Sequence, residues 1–214
     1  MEPNQIAGAR TQVRPEQTRS PPPPRPPHFD QRHFYVVRAG CAWRLLPKDF
    51  GPWQTVYGYF RQWSQDWTWT FIHDTLRDWV RYTEGRSVAP TAAIMITPAA
   101  VQDRDAAKPL IKILVKMFGR LQIIWADGGY LGALVRWVKE LRPYGKLKLD
   151  IVRRCDQVKG FKVLPKRWIV ERTFSWFFKS RRLCRDYEIR LDHSEAMLRV
   201  CMIRLMVRRL AKPI

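Results

Sequence analysis

From residue 87 onward the chain alternates short apolar runs with segments of helical spacing. That alternation restricts the folds open to it. The runs AAIMIT at 92–97 and LQIIWA at 121–126 have the length of buried strands, and 146–152 alternates with Leu147, Leu149 and Ile151 in phase. Between them, 106–118 places Leu110, Ile113, Leu114 and Met117 on one helical face, and 131–141 reads as a helix. Two longer helices are expected over 166–187 and 194–210. In the last one, Val200, Ile203, Val207 and Leu210 form one stripe and Leu198, Met202 and Leu205 a second, so packing on two sides is expected. Strands taking turns with helices argue for an α/β layer with parallel strands.

Residues 29–86 read differently. An apolar stretch containing Phe34, Tyr35 and Val36 stops at Gly40. Gly51-Pro52 breaks the chain before a helix at 53–63, where Val56, Tyr59, Phe60 and Trp63 share a face. A further helix at 70–82 carries Ile72, Leu76, Trp79 and Val80 on one stripe. Short helices joined by a tight turn suggest a helix-turn-helix-like DNA reader. Residues 1–28, with RSPPPPRPP at 19–27, are expected to be a disordered Pro-rich tail, since such a run favours extended polyproline II and cannot pack a core. The expected domains are therefore 1–28, 29–86 and 87–214.

The charge narrows the function. Across 214 residues, 39 Lys+Arg face 19 Asp+Glu, a net charge of +20. Such a surplus on a folded chain points to a polyanion, and here it clusters beside aromatics, as in KSRRLCR after Trp176, Phe177 and Phe178. Ten Trp exclude full-length disorder. The longest charge-free run, 87–102, holds 16 residues with two prolines, too short for a membrane span. No apolar segment follows Met1, and four scattered cysteines fit reduced thiols, so a cytoplasmic location is expected.

Two carboxylates stand out. Asp127 ends the apolar run before Gly128-Gly129, and the stretch after these glycines has helical rather than strand spacing. It is thus expected at the carboxyl end of a parallel strand, where open α/β sheets bind ligands. Glu171 lies in the apolar segment WIVERTF, where a carboxylate is costly unless paired or bound to metal. Arg167 and Arg172 offer an ion pair. Two carboxylates from separate elements can also converge on Mg²⁺, which favours oxygen ligands.

The motifs GCAWRLLP (40–47), GPWQTVY (51–57), PTAAIM (90–95), VQDRD (101–105), WADGGY (125–130), WIVERTF (168–174), RRL (181–183), DYE (186–188) and the helix from Ser194 to Leu210 cover most of 33–212. With them the chain resembles the IS5/IS4-like transposases of bacterial insertion sequences. The resemblance implies a ribonuclease-H-like catalytic domain with an Asp-Asp-Glu site. Asp127 would be the second catalytic and metal-binding carboxylate and Glu171 the third, with Mg²⁺ as cofactor. It also implies duplex DNA with terminal inverted repeats as partner, a homo-oligomer, and Arg167, Arg172, Lys179, Arg181 and Arg182 as holders of phosphates.

In relatives the first catalytic Asp directly follows the strand ending like PTAAIM. Here Ile96 stands next, and the chain runs on through Thr97-Pro98-Ala99-Ala100 to Asp103. A continuing strand would carry Asp103 about 23 Å past Ile96, at about 3.3 Å per residue, so only a sharp bend would return it. The expected fold is therefore a truncated ribonuclease-H-like domain with three strands, near 92–98, 121–126 and 146–152. The expected function is transposition by family, with catalysis lost in this copy. The alternatives are a non-catalytic protein that occupies transposon ends and inhibits the intact enzyme, and a Mg²⁺ nuclease with a rebuilt site.

Overall fold

The computed structural model describes residues 29–87, 93–141, 147–152 and 167–211. The Pro-rich segment 1–28 lies outside the described residues.

Helix α1 (Phe29–Ala39) turns His33, Val36 and Val37 inward at i, i+3 and i+4. It ends where Gly40 takes a left-handed φ of 69° and its N–H returns to the Val36 carbonyl at 2.9 Å. Only glycine suits this position. A Cβ there would stand 2.8 Å from the Cβ of Arg181. Helix α2 (Trp53–Gln65) starts after Pro52 and buries Val56, Phe60 and Trp63. Helix α3 (Thr68–Thr83) follows after two residues, with Trp67 forced to a left-handed φ of 65°. The Trp69 indole closes this corner by donating to the Phe60 carbonyl at 3.2 Å. Trp79, expected on the inner stripe of α3, points outward, because Trp69, Ile72, Leu76 and Val80 fill the contact with the core.

The second body begins with α4 (Asp103–Met117). Strand β1 (Ile123–Asp127), helix α5 (Ala133–Leu141) and strand β2 (Lys148–Val152) then form a β-α-β unit. The strands are parallel, with Ile123 opposite Lys148 and Asp127 opposite Val152. Ile111, Leu134, Val138, Leu147 and Leu149 make its core.

Helix α6 (Arg167–Phe178) leads through a 3-10 turn at Arg181–Leu183 to α7 (Leu191–Leu210). Helix α7 packs on α1, α2 and α3, burying Ala196, Met197, Val200, Cys201, Ile203 and Met206 with Phe60, Trp63 and Trp69. Packing on several sides is thus realised, although Val207 faces solvent.

Three expectations need correction. No strand forms among residues 93–98. Pro98 lacks an N–H for a ladder, and its carbonyl instead accepts from Val101 N–H at 2.9 Å, which turns the chain into α4. Among the described residues the sheet therefore has two strands, not three. The run at 121–126 is not buried on both faces: Ile124 and Ala126 join the core, while Ile123 and Trp125 stay 42% and 46% exposed, because α4 and α5 cover one face. The helix expected to reach Tyr187 stops at Phe178. There Ser180 N–H bonds the Phe177 carbonyl, and the Arg38 guanidinium takes the Lys179 carbonyl at 3.0 Å.

His193, 4% exposed, is wedged against Phe60 and Tyr57, and its Nε2 has no hydrogen-bond partner. Burial pushes its pKa below the ordinary 6.5. The unfolded chain then binds a proton that the folded one refuses, so stability is full above pH 6.5 and falls as pH drops below it. Thermal melts between neutral and mildly acidic pH should show this fall in the wild type and a flatter profile in His193→Gln.

Candidate functional site

Asp127 sits where the sequence places it, at the carboxyl end of a strand in a parallel sheet. The carboxylate is exposed, and its Oδ1 accepts from Gly129 N–H at 2.9 Å, capping a 3-10 turn at Gly128–Tyr130. A side chain at 129 would press on that oxygen, its Cβ only 3.1 Å away. Glycine therefore leaves the space beside the carboxylate, and the same residue provides turn chemistry.

A contact that sequence reasoning missed lies against this loop. Arg104, in the first turn of α4, donates from Nε and Nη2 to the Gly129 carbonyl at 3.1 and 2.6 Å. The bend at 98–101 that α4 requires is thus present, and it brings Asp103 towards the loop. Burial first, then the charges of Asp103 and Asp127, raise the Tyr130 phenol above its ordinary pKa. The VQDRD motif is visible as a string. Its position cannot be read from that string, because a two-residue change in the length of the turn would relocate it.

Glu171 lies on the exposed side of α6 rather than in an apolar interior. Trp168, Val170, Phe174 and Phe178 on the same helix are exposed too, and Phe177 carries the helix into the core. Arg172 is stacked between Trp168 and Trp176, at 4.4 and 5.0 Å from the ring centroids. Arg209 of α7 lies over Trp176 as well, at 5.3 Å. Arg167 opens α6. Lys179 and Arg181 are exposed at the α6 end. Arg182 differs from the expectation of a phosphate holder: it is 7% exposed, bonds Glu188 at 2.6 Å and donates to the Cys41 carbonyl at 3.2 Å. Its guanidinium ties the end of α1 to the segment before α7. Asp150 is paired with Lys148 at 3.1 Å on the surface.

Mg²⁺ takes near-octahedral oxygen ligands. Among the described residues no group of three His, Cys, Asp or Glu side chains is close enough to hold a metal ion, and one oxygen of Asp127 is already engaged by Gly129. The described residues as placed do not assemble a donor set for the ion.

The site thus comprises a strand-end carboxylate on a βαβ unit, followed by a helix with a glutamate and several cations. The family described as "Transposase DDE domain" matches residues 84–206, and the family described as "Putative transposase of IS4/5 family" matches 11–73. A curated protein of Burkholderia cepacia, "Putative transposase for insertion sequence element IS402", is 33% identical over 123 residues, 53% of this chain and 56% of its own length. The chain thus spans little more than half of that relative. No solved structure matches significantly. The chain belongs to the IS4/IS5 family of DDE transposases. That family's DDE domain has a ribonuclease-H-like fold, acts in DNA transposition by polynucleotidyl transfer, and generally uses a divalent metal such as Mg²⁺. Among the described residues no helix is long and apolar enough to cross a membrane.

Proposed function

We propose that this protein binds duplex DNA at transposon ends and does not cut it, because the trio of acidic ligands is incomplete. The observation that carries this reading is Ile96, which stands directly after PTAAIM where the resemblance places the first Asp, while the turn at 98–101 puts Asp103 and Asp105 in the first turn of helix α4 rather than at a strand end. In this reading Asp127 and Glu171 are what remains of the family's metal-binding trio, its second and third catalytic carboxylates, and they no longer hold the ion. Arg167, Arg172, Lys179 and Arg181 hold phosphates, while Arg182 keeps their platform together from inside. Residues 29–86 serve as the helix-turn-helix-like reader, and 87–214 as a truncated ribonuclease-H-like domain. The protein works as a homo-oligomer beside the bacterial nucleoid.

The second reading, an inhibitor that occupies transposon ends, shares the binding step. The packing of α7 on α1–α3 favours it, since that helical core forms without the sheet.

Purified protein is expected to bind duplex DNA with an affinity that falls steeply with salt, and to give no Mg²⁺-dependent nicking of supercoiled plasmid. Nicking that disappears in Asp127→Ala would overturn the claim of lost catalysis. Affinity for inverted-repeat ends no greater than for random duplex would remove end recognition from both readings.

A further inference from the structure

The junction between α6 and α7 gathers cations that lie far apart in sequence. Arg38, in the last turn of α1, reaches the Lys179 carbonyl at 3.0 Å. Gly40 packs its bare Cα face on Arg181. Ser180 Oγ lies 3.2 Å from Cys201 Sγ, which sets α7 against the same junction. Arg204 follows Cys201 by three residues and Arg208 by seven, the same side of a helix. Arg38, Lys179, Arg181 and Arg208 are exposed and Arg204 is half-buried. No carboxylate among the described residues is bonded to any of the five.

We propose that Arg38, Lys179, Arg181, Arg204 and Arg208 form one phosphate-binding surface that grips the backbone of duplex DNA. This rests on the DNA-binding reading above and adds α1 and α7 to it. Helix dipoles account for a cation at the end of α1 or of α7 taken singly. They do not account for Arg204, which lies six residues before the end of α7, nor for the convergence of three helices on one sign of charge. Burial, and after it the charges of Arg38 and Arg208, hold the Arg204 guanidinium below its ordinary pKa. Like charges held this close are disfavoured in the free protein and relieved by an anion. A chain of phosphates supplies several anions at once and releases counterions from each contact. Phosphate contacts of this kind set position rather than sequence preference.

The test is the salt dependence of binding to a labelled random-sequence duplex. Arg38→Gln/Arg208→Gln changes two exposed side chains. It should weaken binding and make the log–log slope shallower by about 0.9 per arginine, about 1.8 for the pair. Adding Arg204→Gln should remove about 0.9 more, and Arg204→Lys, which keeps the charge, should not. Arg136→Gln/Lys139→Gln on α5 should leave the slope unchanged. Circular dichroism checks that each variant is folded. An unaltered slope in the folded Arg38/Arg208 pair variant, or an equal loss in the α5 control, overturns this surface while leaving the DNA reading standing. Wild-type protein that fails to bind duplex removes that reading and this surface with it.

Discussion

Phe60→Ala is expected to lower the free energy of unfolding by about 3–5 kcal/mol, read by urea titration with tryptophan fluorescence. Phe60 is 0% exposed. The rings of Trp43, His193, His33, Trp69 and Tyr57 stand 5.0, 5.4, 6.2, 6.2 and 6.5 Å from its centroid. Those rings come from α1, the segment after it, α2, α3 and α7, so one cavity loosens four helices together. Edge-on and tilted ring pairs add attraction beyond the area they cover. Domains of this size hold only about 5–15 kcal/mol in total, so the variant should be partly unfolded at 37 °C. The signal should also report on α7, whose His193 rests on this ring. A loss below about 1 kcal/mol would show that α7 does not share its core with α1–α3.

Glu188→Ala is expected to cost about 3–5 kcal/mol as well, for an electrostatic reason. Arg182 and Glu188 are 7% and 10% exposed and meet through two hydrogen bonds, at 2.9 and 2.6 Å. The alanine would leave the guanidinium inside the protein with the Cys41 carbonyl and the face of Tyr187 for company. The double variant Arg182→Met/Glu188→Leu removes both charges at similar volume and should recover much of the loss. If the single and double variants melt at the same temperature, the pair is not what holds this segment.

How far the sequence carries each element depends on how local its cause is. The helices at 53–65 and 68–83 are expected at 53–63 and 70–82, because apolar spacing and Pro52 act within a turn or two. The parallel pairing of β1 and β2 is expected from the intervening helix. Asp127 is legible because a strand followed by Gly-Gly and a helical pattern leaves it one place to stand. Hidden features have distant causes. The end of α6 at Phe178 depends on Arg38, which takes a carbonyl 141 residues away in sequence. Arg182 reads as one more cation in KSRRLCR. Its burial comes from Glu188 and from Cys41, which lies two residues past the end of α1. The segment at 93–98 has the apolar content of a strand, but a strand needs a neighbour to bond, and β1 pairs with β2 instead.

The sequence by itself determined the kind of protein, through motif strings and a net charge of +20. It also determined the local helices and the βαβ unit, because periodicity and turn chemistry operate over a few residues. Tertiary structure alone decided that α7 closes the N-terminal helices rather than the sheet, that Arg104 draws the start of α4 to the Asp127 loop, and which arginines face outward. Those outcomes depend on side chains more than 20 residues apart meeting in one place, and contact at that range comes from three-dimensional packing rather than from any local pattern.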